Sequence, residues 1–271
     1  FGALGGQGML GVCFGTVVTM NSPGSLAHGR NNWESTLWHE FCHVITLSVT
    51  KNRMPRWLSE GISVYEERQR DPSWGMKMTA EYRKMILEDD ALTPLSEMSG
   101  AFMKAKSGEA VMFAYYESSV AVEWLVSTYG WAKFRAILTD LASGIRVNEA
   151  LAKNTAPMDE LEPAFAKHIM ALARKYAPKA EWDKPEPEAV DASNAKALAD
   201  YSSKHPNNLW AVQQLAQLLM ENKDWNGALP VTQRLLDLSP EDVTTHGGRW
   251  LKAMVLHQLG KAEEETTELR A

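Results

Sequence analysis

Cys13 and Cys42 are the only cysteines in 271 residues. Two thiols exclude a disulfide framework. Cys42 reads as a small hydrophobe on a helix, with thiol ligation of a metal as the alternative. No apolar run reaches the length of a membrane span. No long basic run occurs either, and the net charge is −6 with a pI near 5.7. That balance speaks against nucleic acid as a partner. The chain opens at Phe1 without Met and without a signal-peptide pattern, so no compartment is read from it. What remains is ordinary globular composition, with length for one or two domains.

Another absence is local. Between Val44 and Ser59 there is no Asp, Glu or His. Just before this gap stands His39-Glu40-Phe41-Cys42-His43, an H-E-x-x-H pattern. On a helix, residues four apart share a face one turn apart, so one Zn²⁺ can take both imidazoles. Glu40 then points toward the same opening and can hold a water rather than the metal. Zinc-dependent peptidases use this arrangement. A third ligand is needed, and the first candidate after the gap is Glu60. The metzincin variant requires Gly at position 46 and His at 49; those positions hold Thr46 and Val49. Two buried, hydrogen-bonded histidines on a core helix are the plainer reading. That reading leaves a charged Glu40 among apolar neighbours unexplained.

The surrounding pattern is helical. Gly11 to Met20 reads as a strand, ended by Asn21-Ser22-Pro23-Gly24. Ser25 to Asn32 is a polar loop whose His28 reads as solvated, and Asn32 can cap a helix from Trp33 to about Val49. Leu37, Trp38, Phe41, Val44, Ile45 and Leu47 make its apolar face broad enough for a buried helix. A second helix runs from about Leu58 to Arg70. In it Glu67 shares the face of Glu60 and can support a histidine ligand, although Glu66 and Glu67 read first as a solvated charge pair. Further helices are expected over 79–89, 109–129 with Gly130 as its stop, 131–143, 147–153 and 158–176. Pro178 to Val190, with three prolines and alternating charge, reads as a stiff linker. Beyond it, Leu215, Ala216, Leu219, Ala228, Leu235 and Pro240 sit at the offsets of a tetratricopeptide repeat, with partial repeats on either side.

The first part of the chain resembles the gluzincin peptidases of the peptidase MA-like type, over roughly residues 10 to 175. The resemblance is carried by His39-Glu40-Phe41-Cys42-His43-Val44, by Trp57-Leu58-Ser59-Glu60-Gly61-Ile62-Ser63 and by Ala114-Tyr115-Tyr116-Glu117-Ser118. It implies that Glu60, in a segment like W-L-x-E-G-x-A, ligates zinc; Ser63 stands where that pattern has Ala. It implies that a tyrosine in A-Y-x-x-S donates to the oxyanion, which favours Tyr115 with Tyr116 as a near competitor. The strand before the metal helix would rim the cleft, and further strands are expected upstream of Phe1. A bacterial source and an envelope or periplasmic location also follow from the resemblance alone.

The expected fold is mainly α (α+β). It comprises a zincin-like domain with a small N-terminal sheet over 1–178, a linker over 179–190 and tetratricopeptide-like helical repeats over 191–271. The expected activity is peptide-bond hydrolysis by a metallopeptidase. His39, His43 and Glu60 hold Zn²⁺, Glu40 activates a water, and Tyr115 stabilises the oxyanion. Its substrate would be a peptide or protein, and the repeats would offer a groove to a protein partner. Two rivals stand beside it. One is a repeat-based scaffold carrying an inactive or structural zincin-like domain. The other is a zinc hydrolase acting on a non-peptide amide.

Overall fold

The structure is a computed structural model, and it describes residues 11–22, 32–186 and 188–270. Among these residues it is mainly helical, with one two-stranded sheet. His28 lies outside the described residues.

The chain divides into two compact units, one of residues 1–77 and 89–170, the other of residues 78–88 and 171–271. Among the described residues the first begins with a hairpin, β1 (Gly11–Phe14) and β2 (Val17–Met20), paired antiparallel with Gly11 opposite Met20 and Phe14 opposite Val17. The single strand expected over Gly11–Met20 is therefore two. Gly15 has φ 63° and Thr16 has no positive φ, the pattern of a two-residue II′ turn. An isolated glycine among β-branched residues was the turn signal.

Helix α1 (Trp33–Val49) carries the H-E-x-x-H. It starts where Asn32 accepts a hydrogen bond from the Ser35 N–H at 3.2 Å. It is not the buried helix its composition implies. Of the expected apolar set only Leu47 is buried, whereas Leu37, Phe41 and Ile45 are 41, 52 and 49% exposed. Its packed side instead includes Glu40, Thr46 and Leu47, because among the described residues it lies against the hairpin, α2 and α5.

Helix α2 (Arg56–Arg70) is the centre of this unit, with Trp57, Leu58, Ile62, Val64 and Tyr65 all buried. It packs on α5 (Gly108–Ala142), which is interrupted at Gly130 (φ 81°, ψ 160°) as its sequence requires. At the crossing, a Cβ on Gly61 would stand 2.5 Å from the backbone oxygen of Ser118. Glycine is what lets the helices approach at the residue after Glu60. Helix α4 (Met98–Lys104) lies against both α2 and α5, and α6 (Val147–Asn154) against α5. Helix α7 (Met158–Lys175) buries Phe165 against Trp124.

The second unit contains α3 (Ala80–Leu87), α8 (Ala195–Lys204), α9 (Leu209–Glu221), α10 (Trp225–Leu238), α11 (Gly248–Gln258) and α12 (Ala262–Arg270). From α8 onward each helix packs on its neighbour in sequence. Leu209, Val212, Leu235, Leu238 and Leu251 form a shared core. The start of the Pro-rich stretch is tied into this unit. Glu181 donates its N–H to Asn207 O at 2.8 Å and accepts from Leu209 N at 3.0 Å. Trp182 joins the core and lies under the Arg83 guanidinium, 3.8 Å from its Cζ.

Candidate metal centre

Helices α1 and α2 each contribute one side of the site. One turn of α1 supplies His39, Glu40 and His43, and two turns of α2 supply Ser59, Glu60, Ser63 and Glu67. The candidate ligand atoms of His39, His43 and Glu60 all lie within 4.8 Å of one another. Glu60 Oε2 is 3.3 Å from His39 Nε2 and 3.2 Å from His43 Nε2. Zn–N and Zn–O bonds of about 2.0–2.1 Å at tetrahedral angles put neighbouring ligand atoms about 3.3–3.4 Å apart. The two N···O spacings already match that edge.

The far side of each imidazole is held. His39 Nδ1 is 2.6 Å from Glu67 Oε1, and Glu67 Oε2 accepts from the Ser35 hydroxyl at 2.8 Å. His43 Nδ1 lies 2.8 Å from Ser59 Oγ and 3.3 Å from Ser63 Oγ. Ser63 also donates to the His39 carbonyl at 3.2 Å. Both Nε2 atoms face Glu60 Oε2, and with a proton on each Nδ1 engaged this way each Nε2 would be free to give its lone pair to a metal ion. That is how a carboxylate or hydroxyl behind a ligating imidazole fixes its tautomer and ring plane. Glu67 is thus no solvated charge: it is buried, and both of its oxygens are engaged. Ser63, where the family pattern has alanine, touches both histidines, through the His39 carbonyl and His43 Nδ1.

The electrostatics favour a cation. Burial works against charge on His39, but the hydrogen bonds and charges of Glu60 and Glu67 outweigh it and push its pKa up to about 10. Burial likewise opposes charge on Glu60, yet its two histidine partners hold it well below the usual carboxylate range. The donor set of two imidazoles and one carboxylate is one that Zn²⁺ accepts, and the two N···O spacings fit it.

Glu40 is buried beside these ligands. Its side chain lies beneath β1, where a Cβ on Gly11 would come within 2.8 Å of Glu40 Cγ. Burial raises its pKa, and the nearby histidines and the Cys13 backbone N–H moderate the shift. Cys42 lies outside the ligand cluster. Its thiol is pushed up to about 12, first by burial and then by the Glu66 charge, so it stays protonated.

The two tyrosines separate. Tyr116 is 3% exposed in the core, its ring 6.5 Å from that of Phe113. Tyr115 turns the other way, with its hydroxyl 3.5 Å from an Arg56 nitrogen. Its pKa is raised by burial and then by the Glu60 charge, so the hydroxyl keeps its proton and can donate. Arg56 was missed from sequence, although it stands one helical turn before Glu60 and reaches Glu60 Oε1 at 3.3 Å.

Two histidines one turn apart, a carboxylate from the next helix and a buried glutamate beside them make a candidate metal centre in which the H-E-x-x-H residues and Glu60 come together. Residues 10–165 match the family model of the Peptidase MA superfamily, more than half of the chain. The chain belongs to that superfamily. No curated protein and no solved structure matches it.

Proposed function

We propose that this chain is a zinc metallopeptidase of the gluzincin kind, with His39, His43 and Glu60 as metal ligands. The observation that carries the reading is the convergence of both Nε2 atoms on one oxygen of Glu60, with each Nδ1 tied down behind. Bound there, zinc supplies a Lewis acid that polarises a carbonyl and makes water easier to deprotonate.

The chain's own residues account for the rest. Glu40, made more basic by burial, takes a proton from the attacking water and returns it to the leaving amine. The Tyr115 hydroxyl donates to the oxygen that gains charge as the peptide carbonyl becomes tetrahedral. A purely structural metal site has no use for Glu40, which favours hydrolysis over scaffolding. The proposed substrate is a peptide or protein.

Helices α8 to α12 of the second unit we read as tetratricopeptide-like repeats that take a protein partner. Burial of Leu215, Ala216, Ala228 and Leu235 supports that reading, as does the packing of each helix on the next.

Metal content by mass spectrometry tests the centre. Wild type should carry one zinc per chain, Glu60→Ala should lose it, and Glu40→Gln should keep it while losing turnover on a peptide library. Wild type purified without chelator and free of zinc would refute the reading. So would full turnover in Glu40→Gln.

A further inference from the structure

The Arg56 guanidinium lies between two groups that the mechanism above uses separately. Its Nε–H donates to Glu60 Oε1 at 3.3 Å, and Nη2 makes a long contact of 3.5 Å to the Tyr115 hydroxyl. Its Cζ stands 4.6 Å from the centre of the Phe102 ring, which meets the Tyr115 ring edge-on at 5.0 Å. Three helices therefore converge on one cation: α2 through Glu60, α4 through Phe102 and α5 through Tyr115. The Arg56 side chain is 45% exposed, whereas that of Glu60 is 11% exposed. The charge reaches inward from the open side of the site.

An ordinary surface ion pair four residues apart on a helix contributes little. This one differs in what it occupies. Glu60 turns Oε2 toward both histidines and gives Oε1 to Arg56. We propose that Arg56 is a positioning residue of the metal centre, holding Glu60 to single-oxygen ligation and setting the Tyr115 hydroxyl beside it. The inference rests on the metal reading above.

The chemical consequence concerns the coordination number. A catalytic zinc site needs three protein ligands and a position left open. With Oε1 released, the Glu60 carboxylate can turn both oxygens to the metal and crowd that position. Arginine suits the task because its planar fork can reach two partners at once, while the ammonium of lysine is a single point charge.

Cobalt(II) substitution reads this directly, since four-coordinate cobalt absorbs visible light several times more strongly than cobalt of higher coordination. Wild type, Arg56→Ala and Arg56→Lys should be loaded with cobalt alone and their spectra compared. Wild type should give the intense, four-coordinate spectrum. Both variants should give bands severalfold weaker, and kcat on a peptide substrate should fall about tenfold with KM little changed, the size of one lost charged hydrogen bond.

An Arg56→Ala spectrum that superimposes on wild type overturns the proposal and leaves the metal reading intact. An Arg56→Lys spectrum like that of wild type also overturns it, because charge alone would then suffice. If Arg56→Ala fails to fold, Arg56→Lys decides by the same comparison. Wild type that takes up no cobalt overturns the metal reading, and this proposal with it.

Discussion

Replacing Glu67 by alanine isolates the support behind one proposed ligand without touching any of the three. In the folded chain Glu67 Oε1 is 2.6 Å from His39 Nδ1, and Oε2 holds the Ser35 hydroxyl at 2.8 Å. The short contact involves a side chain that is only 12% exposed, so it is a charge-assisted bond shielded from water. Its loss frees the His39 ring to rotate and to adopt the other tautomer. Losing such a partner weakens metal binding by about 10–100-fold, or about 1.4–2.7 kcal/mol. Because bound metal adds to folding stability in proportion to the logarithm of its affinity, the thermal shift on adding zinc should shrink by the same free energy.

Competition against a chelator of known affinity measures the first quantity, and thermal unfolding with and without zinc measures the second. Glu67→Gln keeps an oxygen that can still accept from Nδ1, and should fall between wild type and Glu67→Ala. Unchanged zinc affinity in Glu67→Ala would refute the reasoning, since the 2.6 Å contact would then be incidental. So would complete loss of zinc, which would make Glu67 a ligand rather than a support.

Two further perturbations act on the frame around the centre. Gly61→Ala puts a methyl group 2.5 Å from the Ser118 backbone oxygen, where no flexible side chain can yield. Overpacking of this kind costs about 1–3 kcal/mol; urea unfolding should show it, and zinc affinity should fall as α2 shifts with Glu60 on it. Glu117 is fully buried on α5, where burial pushes its pKa up to about 8 against the hydrogen bond that it accepts from Thr93 N. Its ordinary value is 4.5, so between pH 4.5 and 8 the folded chain holds a proton that the unfolded chain has released. Stability should therefore fall as pH rises through that window and level off above it, by a few kcal/mol in all. Glu117→Gln keeps an acceptor for Thr93 and has no proton to lose. Its urea midpoint should match wild type near pH 5 and exceed it near pH 8.5; equal pH slopes in the two proteins would refute the assignment.

Much of the site was legible because its spacing is local. His39, Glu40 and His43 fall within one helical turn, and the stretch free of acids and histidines leads directly to Glu60. Asn32 and Gly130 mark a helix start and a helix break by their own backbone chemistry. What was not legible depends on which helix lies against which. Glu67 looks like half of a charged pair until α1 is laid on α2 and His39 arrives beside it. Arg56 finds Phe102 and Tyr115 from helices 46 and 59 positions further along the chain. The broad apolar face of α1 suggested burial on all sides, because periodicity reports how much of a helix is apolar and not how many neighbours it has.

The same packing explains why the site calls for a cation. Glu40, Glu60 and Glu67 are 8, 8 and 9% exposed and are brought together by two helices. Carboxylates removed from water repel one another and are costly unless positive charge meets them. Of these three carboxylates Arg56 reaches Glu60 alone, through Oε1. Within the cluster the remaining basic groups are the two imidazoles, and His39 holds its proton up to about pH 10 because the carboxylates demand one. A divalent metal held by His39, His43 and Glu60 would answer that demand without protonating either histidine. It would also leave Glu40 as the one carboxylate of the three free to act as the proposed proton acceptor. The charge imbalance that would destabilise an apolar core is thus the feature that suits this one to the proposed hydrolysis.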